Sequence, residues 1–264
     1  KVSKFLKTNK PELVILAAAR VGGIIANRTF KSQFIFENLQ IQNNIIHGSY
    51  KAGIKNLIFL GSSCIHPKFS KQPIKENYIL TGALEQTNDA YAIAKIAGIM
   101  MCKNYSESYN LNYKCLMPSN MYGPNDNYDL QNSHFFPALI RKIYEAKISN
   151  KKTVKVWGSG KVLRELLYVE DFAEAVLFFM NKNIKEAFIN IGTGKDFRID
   201  WYVKFIMQQL KVKLNIEYDK SKPDGVPRKL LDVSLAKKYG WKSKTPLKDG
   251  LFRTLKDFQL GYRA

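Results

Sequence analysis

Cysteine is scarce in this sequence and long hydrophobic runs are missing, and each shortage excludes a class of protein. The three cysteines lack the spacing of a disulfide framework or of a metal site. The richest apolar stretches, residues 13–19 and 175–180, are much shorter than the roughly 18 residues of a membrane-spanning helix. Residues 1–4 have none of the features of a secretory signal peptide. We therefore expect a cytoplasmic protein that neither spans a membrane nor binds a metal.

Acidic residues are also scarce, since 22 Asp and Glu stand against 42 Lys and Arg and give the 264 residues a formal net charge of +20. A strongly basic surface is typical of nucleic-acid binding, because Lys and Arg neutralise phosphates. Here 34 of the basic residues are Lys, spread along the chain in runs of no more than two. Such a spread favours a solvated surface over a nucleic-acid interface and still suits an acidic small-molecule substrate.

Apolar residues make up 45% of the chain, which is enough for a large core and excludes a disordered chain. Residues 13–18 form a continuous apolar run, which is typical of a strand buried on both faces of a parallel sheet. The expected elements that follow are a helix at 29–51, a strand at 56–61, a helix that Asp89 caps, and a strand at 113–117. This alternation predicts the α/β class, with a doubly wound parallel sheet and right-handed crossovers.

Beyond Gly123 the pattern becomes mixed. We expect helices at 135–146, 171–181, 201–210 and 246–258, and strands at 154–157, 166–169, 188–191 and 214–218. These elements predict a smaller mixed α/β lobe at the carboxyl edge of the sheet, where open α/β sheets bind ligands.

Tyr91 and Lys95 are the first candidates for chemistry. On a helix they lie four positions apart and share a face, and a nearby ammonium lowers the pKa of a phenol, which then becomes a usable proton donor or acceptor. This spacing also occurs in many surface helices, so its meaning depends on Ser62 at the end of the preceding predicted strand. A serine there can hydrogen-bond a substrate carbonyl, although Ser62 and Ser63 are equally compatible with an ordinary turn.

Eight short segments occur in the order and spacing of one enzyme family. They are residues 60–68, 91–98, 117–124, 132–134, 156–160, 164–165, 190–194 and 221–229. On these segments the chain resembles the GDP-L-fucose synthases, which belong to the NAD-dependent epimerase/dehydratase family of the extended short-chain dehydrogenase/reductase superfamily. The resemblance implies a Rossmann-like fold and the NADPH-dependent conversion of GDP-4-keto-6-deoxy-D-mannose into GDP-L-fucose.

The resemblance also implies catalytic roles. Ser62 corresponds to the residue that binds the C4 ketone, Tyr91 to the proton donor for its oxygen, and Lys95 to the residue that lowers the pKa of that tyrosine and holds the nicotinamide ribose. Cys64 and His134 correspond to the acid/base pair that epimerises C3 and C5, whose hydrogens the ketone acidifies. Without the resemblance, Cys64 would be interpreted as a buried structural thiol and His134 as a surface histidine.

Binding residues are implied in the same way. The NADPH contacts would be Ala17, Ala18, Ala19, Leu60, Gly61, Ser62, Ser63, Tyr91, Lys95, Pro118, Ser119, Asn120, Met121 and His134. The contacts to the GDP-sugar would be Lys142, Trp157, Arg164 and Asp224; by themselves, Trp157 is typical of a core aromatic and Asp224 of a turn. The NADP-binding Rossmann domain would occupy residues 1–122 and the substrate lobe mainly 123–264, with part of 161–192 returning to the first domain. The family also implies a homodimer joined through helices that include the one bearing Tyr91.

Two features depart from the family. Its members begin with a strand, a Gly-x-x-Gly-x-x-Gly turn and a helix whose N-terminus binds the cofactor pyrophosphate, and no glycines of this chain have that spacing. We expect the sequence to be a fragment of a longer reading frame, and a chain beginning at Lys1 to bind NADPH poorly and to expose an apolar sheet edge. The alternatives are that another chain supplies this unit or that this copy is degenerate. The second departure is His66, where the family usually has tyrosine.

Two other functions remain open. Another sugar-nucleotide enzyme of the superfamily, such as a 4-epimerase or a 4,6-dehydratase, would share most of these residues. Dehydratases usually carry acidic residues near the Ser-Ser turn, whereas this chain has Cys64, and that favours the synthase. A non-catalytic protein that kept the fold and lost cofactor binding is the second alternative.

Overall fold

The computed structural model describes residues 1–262. The helices are α1 (Val2–Asn9), α2 (Ile24–Thr29), α3 (Lys31–Lys51), α4 (Asp89–Tyr109), α5 (Phe135–Ile148), α6 (Val169–Met180), α7 (Ile199–Gln209), α8 (Ser234–Lys238) and α9 (Leu247–Gly261). The strands are β1 (Leu13–Leu16), β2 (Asn56–Leu60), β3 (Asn112–Pro118), β4 (Asn120–Tyr122), β5 (Thr153–Trp157), β6 (Leu163–Tyr168), β7 (Ile189–Ile191), β8 (Asp196–Arg198), β9 (Asn215–Asp219) and β10 (Arg228–Lys229).

A parallel sheet forms the centre of the fold, with the strand order β1-β2-β3-β7. Leu57 and Phe59 of β2 belong to a core cluster that includes Ile99 of α4, whereas Ile58 between them packs with Phe172 of α6 on the opposite face. Side chains alternate across a strand, so helices cover both faces of the sheet. The predicted α/β fold with a doubly wound parallel sheet is confirmed.

The burial expected for the first strand is wrong. β1 ends at Leu16 and lies at the edge of the described sheet, so that only β2 pairs with it. Ile15 is 45% exposed, whereas Leu16 is buried. A continuous apolar run is compatible with a central or an edge strand, and only strand order distinguishes the two.

Smaller sheets flank the carboxyl edge of the central sheet. β4 and β10 each pair in parallel with β6, β8 pairs with β6 in the antiparallel direction, and β5 pairs with β9. Their core cluster includes Phe136 of α5, Tyr202 of α7 and Leu251 of α9. β7 joins β3 in the central sheet, while the division of the chain at residue 122 stays a prediction.

Two local predictions differ in detail from the structure. The residue that precedes α4 is Asn88, and Asp89 lies in the first turn, where its Oδ1 accepts a hydrogen bond from the Ala90 N–H and pairs with Lys31 at 2.9 Å. The helix expected at 29–51 is present as α3, which begins two residues later than expected, and a separate short helix, α2, precedes it. Within residues 1–262, no helix combines the length and apolar character needed to cross a membrane.

Candidate active site

A tight turn after β2 places three consecutive polar residues at the carboxyl end of the sheet. Ser62 precedes a short 3₁₀ helix, Ser63–Ile65, and its Oγ accepts a hydrogen bond from the Cys64 N–H at 3.3 Å. Gly61 begins the turn because a Cβ at this position would collide with the side chain of Met117 on β3. The turn therefore brings Ser62 and Cys64 to one edge of the sheet.

α4 places Tyr91 and Lys95 beside this turn. Lys95 is only 3% exposed, and its Nζ donates a hydrogen bond to the Leu60 carbonyl at 2.8 Å. Burial lowers the pKa of Lys95 to about 8. The same ammonium lies 5.8 Å from the centroid of the Tyr91 ring. This hydrogen bond fixes Lys95 to the last residue of β2, two positions before Ser62.

Burial, rather than Lys95, has the largest effect on the pKa of Tyr91, and the role of Lys95 in lowering that pKa stays a prediction. Burial raises the pKa of Tyr91, the neighbouring Cys64 raises it further, and a contact with Ser62 lowers it only in part. The ammonium of Lys95 is directed at the Leu60 carbonyl, so burial has the larger effect on the phenol. Tyr91 therefore keeps its proton at neutral pH, as a proton donor must.

The thiol of Cys64 accepts hydrogen bonds from two side chains. The donors are Lys229 Nζ and Asn88 Nδ2, each 3.3 Å from Sγ. Burial raises the pKa of Cys64, but the charge of Lys229, hydrogen bonds from Ser62 and Lys229, and the charge of Arg164 outweigh it, so the pKa is lowered. The site thereby favours the thiolate, which is the reactive form of cysteine.

A short backbone pairing holds Lys229 against Cys64. β10 pairs with β6, and the side chain of Gln72 forms hydrogen bonds with the backbone on both sides of Lys229. Gln72 Nε2 donates to the Arg228 carbonyl at 3.2 Å, and Gln72 Oε1 accepts from the Leu230 N–H at 2.9 Å. Lys229 lies between these two anchored residues, so its position depends on contacts with two distant parts of the chain.

His134 reaches the same site from the start of α5, where it is the residue that precedes the helix. The surrounding protein lowers the pKa of His134 by desolvation, and the positive charge of Lys229 lowers it further. Both effects disfavour the imidazolium, so His134 is neutral near pH 7 and can accept a proton.

One cavity of about 520 Å³ connects these groups. Ala17 and Ala18 are exposed beyond the end of β1, and Ala19, Leu60 and Lys95 do not line this cavity either. The predicted site residues that do line it are Gly61, Ser62, Ser63, Cys64, Tyr91, Pro118, Ser119, Asn120, Met121, His134, Lys142, Trp157, Arg164 and Asp224.

Trp157 lies in the cavity wall between two ammonium groups. Lys142 Nζ lies 4.5 Å and Lys222 Nζ lies 5.2 Å from the centroid of the Trp157 ring. Both distances allow cation–π attraction. Trp157 is 36% exposed, so part of the indole remains free to cover a ligand. An aromatic ring beside two cations suits a ligand that combines a flat base with phosphate.

Arg164 and Asp224 form a fixed pair in the wall of the same cavity. Arg164 Nη2 donates to the backbone carbonyl of Asp224 at 2.9 Å, and Asp224 Oδ1 accepts from the Ser159 N–H at 2.7 Å. Gly158 has φ +78°, and a Cβ there would collide with the Asp224 carboxylate. Burial lowers the pKa of Arg164 to about 10, and the group stays charged at neutral pH.

Several residues that line the cavity were assigned no role from the sequence, namely Asn88, Lys222, Lys229 and residues 21–25 and 27. Lys222 and Lys229 belong to the matched segment 221–229, which was the only available signal for them. The contact of Lys229 with Cys64 spans 165 positions in the chain, and no local pattern reveals a pairing over that distance.

His66, the residue that departs from the family pattern, is buried close to this site. It is 4% exposed, and its ring centroid lies 6.0 Å from that of Phe188. Burial lowers the pKa of His66 to about 4, the charge of Lys229 contributes in the same direction, and Asn190 opposes both. His66 is therefore neutral at pH 7. Within residues 1–262, no group of His, Cys, Asp and Glu has the arrangement of a metal site.

Comparison with known proteins agrees with this geometry. A model of the NAD dependent epimerase/dehydratase family matches residues 1–192. The GDP-L-fucose synthase of Sinorhizobium fredii is 47% identical over 257 residues, covering 97% of this chain and 82% of the relative. A solved GDP-6-OMe-4-keto-L-xylo-heptose reductase from C. jejuni is 32% identical with a TM-score of 0.90, covering 99% of this chain and 86% of that one.

A second solved structure, a GDP-L-fucose synthetase from Naegleria fowleri bound to NADP, is 28% identical with a TM-score of 0.88 and covers 98% of this chain and 81% of that one. A family match over most of the chain, a close relative and a shared fold all lead to one assignment. The chain belongs to the NAD-dependent epimerase/dehydratase family, in the branch of the GDP-L-fucose synthases.

Proposed function

We propose that this chain catalyses the NADPH-dependent conversion of GDP-4-keto-6-deoxy-D-mannose into GDP-L-fucose. The observation that supports this most strongly is that a single cavity contains both Tyr91 with Ser62 and Cys64 with His134. The first pair suits protonation of a ketone oxygen, and the second suits proton exchange at the neighbouring carbons. A simple reductase needs only the first pair.

The residues at the carboxyl edge of the sheet fit the nicotinamide half of NADPH. Ser119 Oγ is buried without a hydrogen-bond partner among the described residues, and it lies in the Pro118–Met121 segment that lines the cavity. Lys95 holds one hydrogen bond and has two further N–H donors for a ribose. When bound, NADPH supplies the hydride that is transferred to C4.

Epimerisation would use the two groups whose pKa values are lowered. The C4 ketone acidifies the hydrogens at C3 and C5, and a base placed on each face can remove or return them. Cys64 Sγ, whose thiolate Lys229 favours, and a ring nitrogen of neutral His134 are the groups that exchange these protons. The proposal assigns neither group to a particular carbon.

Reduction would use Tyr91. Its phenol keeps its proton because burial raises its pKa, and Oη can deliver that proton to the C4 oxygen as the ketone is reduced. The Ser62 hydroxyl lies on the same turn as Cys64 and would hold the C4 oxygen by donating a hydrogen bond. One ketone oxygen would then be fixed for both stages of the reaction.

The GDP part would occupy the other end of the cavity. Trp157 offers an indole to the base, while Arg164 and Lys142 offer cations to the diphosphate. Asp224, held by Ser159 N–H, would accept hydrogen bonds from the sugar nucleotide. These contacts would keep the keto-sugar beside Cys64 and Tyr91.

The central test is turnover by Tyr91→Phe. We expect this change to reduce NADPH oxidation with GDP-4-keto-6-deoxy-D-mannose by roughly 100-fold or more, because the general acid is lost while the ring remains. The chain should be expressed together with any upstream coding sequence. The oxidation of NADPH is then followed by its absorbance. Tyr109→Phe is the matched control, since Tyr109 ends the same helix and is 50% exposed. Absence of turnover, or equal activity of Tyr91→Phe and the native chain, contradicts the proposal.

A second test separates the two chemical stages. Cys64→Ser should slow epimerisation more than reduction, because a serine hydroxyl is a far weaker acid than a thiol that Lys229 stabilises as thiolate. Exchange of the C3 and C5 hydrogens with deuterium from solvent, measured by NMR, reports the first stage. Reduction of an already epimerised ketone reports the second. Equal losses in both measurements would argue against this role for Cys64.

A related GDP-4-keto sugar is the second candidate substrate. The observation that favours it is the TM-score of 0.90 to the C. jejuni heptose reductase. The ratio of kcat/KM for the 6-deoxy and the heptose substrate distinguishes the two. A chain that binds no NADPH even with its upstream coding sequence would instead support the non-catalytic alternative.

We also propose that the chain forms a homodimer through α3 and α4 and works in the cytoplasm. Phe36 on α3 and Ile93 on α4 are 62% and 47% exposed, an unusual exposure for large apolar side chains on two helices that pack together. The described cysteines are free thiols, which suits a reducing compartment.

A further inference from the structure

A small cavity beside Cys64 adjoins the large substrate cavity and shares Cys64, Asn88 and Lys229 with its walls. Its volume is about 10 Å³, and its walls include Cys64, His66, Glu85, Asn88 and Lys229. A water molecule needs roughly 10–15 Å³ of such volume and two to four polar partners. The size of this cavity therefore matches a single water.

Three buried atoms around this cavity lack hydrogen-bond partners among residues 1–262. They are both ring nitrogens of His66 and Oδ1 of Asn88; a fourth such atom, Oε2 of Glu85, is paired with the Lys68 ammonium at 3.0 Å. Burying a polar atom without a partner is costly, so native proteins usually satisfy such atoms with protein groups or ordered water. Asn190 lies close enough to affect the pKa of His66 and can form a hydrogen bond with one ring nitrogen. The other ring nitrogen then remains available to a group in the cavity.

We propose that one buried water molecule occupies this cavity and connects His66 to Asn88, so that His66 is a positioning residue for the thiol of Cys64. This inference rests on the proposed function for the role of Cys64 in proton exchange. A water that accepts from the N–H of His66 and donates to Asn88 Oδ1 supports this orientation of the amide, because the flipped amide would place its oxygen against the thiolate. In this orientation Asn88 Nδ2 donates to Cys64 Sγ, at 3.3 Å.

The protonation state of His66 agrees with this role. A neutral imidazole has one donor and one acceptor nitrogen, whereas an imidazolium beside Lys229 would add a second positive charge. His66 therefore influences Cys64 through the hydrogen-bond path and not through its own charge. The other titratable groups around Cys64 are Lys229 from β10, Arg164 from β6, Tyr91 from α4, His134 from the start of α5 and Glu85, which pairs with Lys68 at 3.0 Å.

The test measures the thiol pKa directly and needs no substrate. The rate of alkylation of Cys64 by iodoacetamide is followed from about pH 5 to 10 in the full chain, with mass spectrometry to locate the adduct. Cys102 and Cys115 are fully buried, and Cys64→Ser gives the background. We expect His66→Phe to raise the midpoint by roughly 0.5–1 pH unit, because Asn88 loses its fixed orientation and the thiolate loses a donor. His66→Gln, which keeps a donor and an acceptor, should restore most of the native profile.

A double variant tests the path. In an Asn88→Ala background, which raises the midpoint by itself, His66→Phe should cause no further shift. An unchanged midpoint in folded His66→Phe, or an undiminished shift in the Asn88→Ala background, would overturn the proposal. If His66→Phe does not fold, a high-resolution crystal structure of the native chain decides: a water within hydrogen-bond distance of both His66 and Asn88 Oδ1 supports it, and a dry cavity overturns it.

The outcome is independent of turnover. Loss of all activity toward GDP-sugars, with the alkylation shift intact, would contradict the proposed function and leave the path from His66 to Cys64 standing. Full activity toward GDP-sugars without any alkylation shift would support the proposed function and overturn the path from His66 to Cys64.

Discussion

Lys229 brings a positive charge into a site that contains a thiol and two imidazoles. Its ammonium donates to Cys64 Sγ at 3.3 Å and lowers the pKa values of Cys64, His66 and His134. The charge of Lys229 acts on all three groups in one way, since a nearby cation stabilises a thiolate and destabilises an imidazolium, although burial is the larger cause of the lowered pKa of both histidines. Near neutral pH the same lysine therefore increases the fraction of thiolate and decreases the fraction of protonated histidine, which is the combination that two bases require.

Lys229→Met should raise all three pKa values. With the cation removed, the thiolate of Cys64 is less favoured and the imidazolium forms of His66 and His134 are less disfavoured. Alkylation of Cys64 against pH and NMR titration of the histidines measure the two effects. Lys222→Met is the matched control, because Lys222 lines the same cavity but lies beside Trp157. Midpoints that stay unchanged in Lys229→Met would show that Lys229 does not control the site.

α4 owes its position to a glycine that faces the central sheet. A Cβ at Gly98 would lie 2.6 Å from the Phe59 ring and 2.9 Å from Gln42 Oε1, so the absence of a side chain lets the helix approach both β2 and α3. The same helix carries Tyr91 and Lys95, and Lys95 bonds the last residue of β2. The close packing at Gly98 is thus part of what holds Tyr91, the proposed proton donor, near Ser62.

Gly98→Ala should destabilise the protein although alanine is the better helix former. The helical preference contributes about 1 kcal/mol in favour of alanine, whereas a forced contact in a packed core costs about 1–3 kcal/mol. We expect a net loss of roughly 0–2 kcal/mol in the free energy of unfolding, measured with urea. Gly261→Ala is the control, because its added Cβ meets nothing within 4 Å. A gain in stability for Gly98→Ala would contradict the packing argument.

The complete fold leaves much of its positive charge in solvent and some of its apolar surface uncovered. Most lysines are exposed, whereas Lys95 and Lys114 are buried and donate to backbone carbonyls. The charge therefore describes a solvated surface more than a binding face. Phe36 and Ile93 on α3 and α4 are the exposed apolar residues relevant to the proposed homodimer.

The homodimer makes a clear prediction. The double change Phe36→Glu and Ile93→Glu should convert a dimer into a monomer, because each charge would be buried at the interface without a partner. Analytical ultracentrifugation measures the mass. Leu177→Glu is the control, since Leu177 is 60% exposed on α6, which packs on the opposite face of the sheet. A native chain that sediments as a monomer, or a double variant that remains a dimer, would exclude this interface.

Local sequence patterns predicted most elements and the fold class, because the period of apolar residues depends only on neighbours in the chain. β2, β3, α4 and α5 lie within a few residues of their expected positions. The segments that resemble the family predicted one site formed by Ser62, Cys64, Tyr91 and His134. All four residues line the cavity. Strand order was beyond local patterns, and for this reason the apolar run at β1 was assigned two buried faces although Ile15 is exposed.

The electrostatics of the site required the folded chain. Tyr91 and Lys95 are neighbours on one helix, yet burial raises the pKa of the phenol while the ammonium bonds Leu60. Cys64 obtains its low pKa from Lys229, which lies 165 positions away and is held there by Gln72. Residue types and helical spacing follow from the order of amino acids, but desolvation and the distances between charges depend on which distant segments pack together.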